Sequence, residues 1–199
     1  INKDFDFSLE YPENDWNFYS ATSTDLSPKF NFYLKPSGMP LDLPLTHFAN
    51  VSNVSIFPEG IGTEGLFGQT EDLDFDLGFE VSDESKMYVL DDGTPFAAFI
   101  KPENYPESWT ENGFIWIRVK INDLETQCLK NGEEVEDCDV YDESLEIIRS
   151  GEVDQKLWEI QKEAISRFAF LEETVKGQDF LLDNPQSGQK ISSPLRVTG

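Results

Sequence analysis

The sequence predicts an α+β domain: an antiparallel β-sheet packed by a long C-terminal helix. Three observations predict it. Several runs alternate apolar with polar residues at the period of a half-buried strand. Pro, Gly, Ser and Asp punctuate these runs at short intervals. One late stretch, 151–170, switches to the helical period. Strands followed by a helix is the α+β order. The expected boundaries are residues 1–176 for this body, 177–190 for a linker and 191–199 for the first strand of a further domain.

The elements follow in order. "FDFSLEYP" sets Phe5, Phe7, Leu9 and Tyr11 against Asp6, Ser8 and Glu10, and Pro12 stops the strand. "NDWNFYSAT" and "KFNFYLKP" are further aromatic strands. "SGMPLDLPLTHF" carries too much proline for a central strand and is read as a loop. "NVSNVSIFPEG" gives the next strand, ended by Pro58-Glu59-Gly60. "TEGLFGQTEDL" is read as a short helix weakened by two glycines. "DLDFDLGFEV" alternates Leu73, Phe75, Leu77 and Phe79 with Asp72, Asp74 and Asp76, the pattern of another strand.

"TPFAAFIKP" and "NGFIWIRVKIND" are the most continuously apolar runs and so the central strands. The second sets Phe114, Trp116 and Arg118 against Ile115, Ile117 and Val119. In "GEVDQKLWEIQKEAISRFAF" the apolar stripe is Val153, Leu157, Ile160, Ala164 and Phe168. Glu159 with Lys162, and Glu163 with Arg167, are spaced to pair along the helix.

The chain of 199 residues is 38% hydrophobic and 13% aromatic, enough for a core despite a net charge of −24. Such a surface repels phosphate backbones and anionic lipid heads, so no nucleic-acid partner is expected. Solvation is the plain explanation of the charge; mimicry of nucleic acid, cation binding and life in salt are the sharper ones. No apolar run reaches membrane-spanning length. The chain begins at Ile1 rather than Met, which leads us to expect a removed native start and leaves a lipid anchor upstream as the one expected route to a membrane.

Cys128 and Cys138 flank Asn131-Gly132, a strong turn signal that brings the sulfurs together. Closing so short a loop is worth about 3 kcal/mol in the chain-entropy model. A disulfide here implies an oxidising compartment; two free cytosolic thiols are the alternative.

Chemistry-bearing patterns are few. His47 alone represents its residue type, within the proline-rich loop, and no G-x-S-x-G elbow opens a helix, so serine and cysteine nucleophiles are disfavoured. With 39 acidic residues, no single carboxylate pair can be chosen for acid–base work. Asp72, Asp74, Asp76 and Asp83 match calcium-loop positions, but Leu77 occupies the place that needs glycine. A strand with a wet acidic face explains them better. A second acidic run, "EEVEDCDVYDESLE", could bind calcium if the disulfide loop holds Asp137, Asp139 and Asp142 together. "GIGTEG" lacks the lysine of a phosphate loop. The Asn-Val-Ser triplets at Asn50 and Asn53 match glycosylation acceptors but are read as ordinary strand residues. No catalytic, cofactor-binding or metal-ligating residue is therefore assigned and no cofactor is expected, with calcium left as an alternative.

Two resemblances remain. Phe5, Phe7, Leu9, Tyr11, Pro12 and Trp16, with Ser166, Phe168 and Phe170 after the helix, resemble the opening and closing segments of the PsbP-like family. That resemblance implies an antiparallel sheet flanked by helices, a fold also found in bacterial envelope lipoproteins. Ile191, Ser193, Pro194, Leu195, Val197, Thr198 and Gly199 resemble the first strand of the immunoglobulin-like domain of spore-germination lipoproteins. The two together imply the amino-terminal part of a longer envelope protein. The expected function is a non-catalytic, extracytoplasmic accessory or ligand-binding module of a bacterial cell-envelope protein, its partner an envelope protein or a small ligand. The alternative is an acidic cytosolic inhibitor that mimics nucleic acid.

Overall fold

The computed structural model describes residues 1–22, 28–34, 52–62, 68–136 and 138–171. Seven strands form the main sheet: β2 (Trp16–Thr22), β3 (Pro28–Leu34), β4 (Asn53–Phe57), β5 (Gln69–Glu71), β6 (Lys86–Val89), β7 (Pro95–Ile100) and β8 (Phe114–Arg118). Their order is β2-β3-β4-β8-β7-β6-β5, and every pairing is antiparallel. The apolar runs read as central, β7 and β8, do lie inside the sheet, flanked by β4 and β6. Val54, Ile56, Ala98, Ile100, Ile115 and Ile117 are excluded from solvent on one face.

That face is covered by α1 (Gln155–Ile165), which packs over β4, β7 and β8. Asp154 starts the helix because its carboxylate accepts from the Leu157 N–H at 3.0 Å. Val153 before it ends the strand β11 (Glu146–Val153), and Phe168 after it begins β12 (Phe168–Phe170). The expected fold class is therefore corrected. The helix has 11 residues, not the whole of 151–170, and the described chain is mostly β, built from three antiparallel sheets. Residues at both ends of the helical pattern were recruited into strands: Val153 pairs with Ile121, and Phe168 and Phe170 pair with Leu9 and Phe7. The buried face is also rotated from the expected stripe, carrying Trp158, Gln161, Ala164 and Ile165. The pairs Glu159–Lys162 and Glu163–Arg167 form as spaced.

β1 (Phe7–Leu9) pairs with β12, so the two ends of the described chain meet. Phe7 stacks on Phe168 with centroids 5.5 Å apart, and the Trp109 indole N–H donates to the Phe5 carbonyl at 2.8 Å. The third sheet is a ribbon, β10-β9-β11, from β9 (Ile121–Lys130), β10 (Glu133–Glu134) and β11. Asn131 (φ 54°) and Gly132 (φ 84°) turn β9 into β10 in the left-handed region that such a two-residue hairpin requires.

Two local expectations fail. Gln69–Glu71, expected within a short helix, is the edge strand β5. The segment "DLDFDLGFEV" alternates as expected but forms no ladder. Leu73, Phe75, Leu77 and Phe79 instead pack against the core beside α1, Phe75 edge-on to Trp158 and Phe79 edge-on to Phe168. Hydrophobic anchoring to a helix produces the same period as a half-buried strand. The linker 177–190 and the segment 191–199 lie outside the described residues.

Candidate functional site

Alternation along three neighbouring strands gives the main sheet a second face of different chemistry. With Phe30 and Phe32 of β3 turned to the core, Lys29, Asn31 and Tyr33 turn the other way. Register then builds rows across the sheet. Asn31 stands opposite Ser55, which stands opposite Trp116; Asn53 stands opposite Arg118. This layer is buried too: Lys29 is 0% exposed, Tyr33 3%, Asn53 4% and Trp116 8%.

Part of the layer satisfies itself. The Asn53 amide donates to Asn31 Oδ1 at 3.1 Å and to Ser55 Oγ at 3.0 Å, and Ser55 Oγ donates to Asn31 Oδ1 at 2.6 Å. A closed triad of this kind removes most of the cost of burying three polar side chains. Aromatic rings fill the flank, with Phe57, Phe114 and Trp116 in one cluster against Phe99.

The basic groups sit on those rings. Lys29 Nζ lies 5.2 Å from the Phe57 centroid, and the Arg118 guanidinium carbon lies 5.1 Å from the Trp116 centroid. Burial, and then the nearby Arg118, pushes the Lys29 amine down to about 6. Burial lowers Arg118 only to about 10, so it stays charged near neutrality. Burial, and then Tyr19, raises the Tyr33 phenol. Both basic side chains have partners. The Trp116 indole N–H and the Tyr33 hydroxyl are buried without any hydrogen-bond partner. Leaving such a group unpaired costs about 1–3 kcal/mol. The arrangement gathers buried donors on one face, with Ser55 Oγ donating to Asn31 Oδ1.

Sequence reasoning found half of this layer. It placed Phe114, Trp116 and Arg118 on one face of a central strand, as observed. It missed Lys29, Asn31 and Ser55, because polar residues at every second position of "KFNFY" and "NVSIF" carry the signature of a wet face. Asn53, read as an ordinary strand residue, does lie in β4, where it holds the triad together.

The other singled-out residues do not converge. Asp72 pairs with Lys86 at 2.8 Å, and that bond and charge hold its carboxyl below the usual range. Asp74 lies 4.0 Å from Lys162, and Asp76 and Asp83 are exposed. Asp139 and Asp142 cap turns by accepting from the Tyr141 and Ser144 N–H groups. Among the described residues no three His, Cys, Asp or Glu side chains are grouped to hold a metal. His47, Asn50 and Asp137 lie outside the described residues. Cys128 and Cys138 form a disulfide with Cα atoms 5.2 Å apart. No helix among the described residues is long and apolar enough to cross a membrane. In comparisons with known proteins, no protein family, curated protein or solved structure matches the chain.

Proposed function

We propose that the chain is a non-catalytic, extracytoplasmic binding module of a bacterial cell-envelope protein. The observation that carries this reading is the Cys128–Cys138 disulfide, which ties the end of β9 to the loop after β10. Cytosolic reductants keep such pairs open, whereas envelope and secreted proteins keep them closed. The nucleic-acid-mimic alternative needs a cytosolic location, where the same bond would be reduced. The segmental resemblances to the PsbP-like family and to the germination-type immunoglobulin-like strand support an envelope setting. They do so as segments: residues 5–16 and 166–170 for the first, 191–199 for the second. The binding role rests on the second face of the sheet, where buried donors are gathered.

Surface biotinylation of intact cells producing the protein from its native gene tests the reading. The protein is expected in the labelled fraction, together with its outward-facing neighbours. Labelling only after lysis would contradict the proposal.

A further inference from the structure

The two edges of the main sheet differ. β5 is three residues long, exposed, and ends in Glu71 beside the Asp72–Lys86 ion pair. Shortness and charge are common means of closing an edge to further strands. In the ribbon, the stretch of β9 that β10 leaves uncovered carries Asp123 and Glu125, which serve the same end. β2 has neither device. Its seven residues, Trp16–Thr22, include no Asp, Glu, Lys, Arg or Pro, in a chain that is 27% charged. Among the described residues β2 pairs with β3 alone. Every second residue of such a strand turns its N–H and C=O away from its one neighbour. Phe18 is 46% exposed although its ring stacks on Phe30 and lies 5.0 Å from that of Phe32. Ser20, two residues on and therefore on the same face, is exposed as well.

A second copy of the strand complements this edge. When β2 pairs with itself antiparallel about a two-fold axis at Tyr19, Phe18 of each copy falls opposite Ser20 of the other. A large side chain then meets a small one on both sides of the axis, and each exposed ring gains cover. The net charge of −24 does not forbid the contact. Asp15 is the acidic residue nearest β2 in sequence, and this register keeps its two copies about 27 Å apart along the strands. That is about three screening lengths at physiological salt. We propose that β2 is a homodimer interface, joining two seven-stranded sheets into one through antiparallel β2–β2 pairing. So short a contact belongs to the weak, reversible class of association. The inference stands apart from the envelope setting and survives its failure.

Sedimentation velocity of the whole chain, over about 10 µM to 1 mM, tests it. Monomer is expected to pass into dimer as concentration rises, and the dimer to tighten as sodium chloride is raised to roughly 0.5 M. Ser20→Lys sets two ammonium groups diagonally across the axis and is expected to raise the dissociation constant about tenfold or more. It does so while lowering the overall charge, so a general loss of repulsion predicts the opposite sign. Thr70→Lys, the same change on β5, is expected to leave the dimer intact. A mixture of isotope-labelled and unlabelled unmutated chain gives a reading that needs no variant: contacts between the Phe18 ring of one copy and Ser20 of the other, seen by isotope-filtered nuclear Overhauser spectroscopy. A chain that stays monomeric throughout, or a dimer that Ser20→Lys does not weaken, would overturn the interface. A dimer lacking the Phe18–Ser20 contact would do the same.

Discussion

Gln161 is fully buried on the inner face of α1, and both polar atoms of its amide lack partners. An apolar side chain of similar length removes that cost without opening a cavity. Gln161→Met is expected to stabilise the protein by about 1–3 kcal/mol, read as a higher urea midpoint with an unchanged slope. A lower midpoint would show that the amide is satisfied in solution. Lys29 makes the complementary case on the opposite face, where its amine titrates at about 6 instead of the ordinary 10.5. Between those values the unfolded chain binds a proton that the folded protein refuses, so stability rises with pH by up to about 1.4 kcal/mol per unit. Below about 6 both states are protonated, and the folded state carries the full cost of a buried ammonium beside Arg118. Lys29→Met is expected to flatten the stability curve between pH 6 and 10, with its largest gain at the acid end. An unchanged slope would refute the assignment.

At the level of elements, α1 depends on its cap. Asp154→Ala is expected to cost about 1 kcal/mol by thermal unfolding, because the Leu157 N–H loses its acceptor. The ribbon depends on its cross-link. Cys138 is exposed while Cys128 is 1% exposed, so Cys138→Ser removes the bond without opening the core. Amide exchange at the β9–β10 tip is expected to quicken in that variant, while β4 and β8 keep their protection. Elements whose partners are close in sequence, or whose runs are continuously apolar, were legible in advance: β2, β3, β4, β7, β8 and the Asn131-Gly132 turn. What escaped was decided by partners far along the chain. β11 is half-buried and mixes Ile147, Ile148 and Val153 with polar residues, and its register comes from β9 across the disulfide-tied loop. Phe168 and Phe170 continue the helical period, yet they pair with β1 more than 150 residues away. Periodicity reports which side of a segment is buried, and several geometries share one answer.

For the whole molecule, charge and compartment dominate. Thirty-nine acidic against fifteen basic residues press the folded state apart at low ionic strength. Added sodium chloride, up to roughly 0.5 M, is expected to raise the melting temperature, because screening shortens the reach of that repulsion to a few ångströms. A temperature independent of salt would mean that the charges are already spaced widely enough. The candidate site was only half legible for a related reason. One surface of the sheet is buried under apolar contacts from α1 and the other is buried with polar and cationic groups, but a single sequence shows only that the two differ. Which polar face is wet and which is enclosed depends on what the rest of the chain lays over it.

An extracytoplasmic module must carry its cysteines oxidised where it works. Mass spectrometry of the protein from its native host, with free thiols trapped by alkylation before lysis, reads that state directly. The expected result is a linked Cys128–Cys138 peptide with neither sulfur alkylated. Both cysteines recovered as alkylated thiols would contradict the envelope setting.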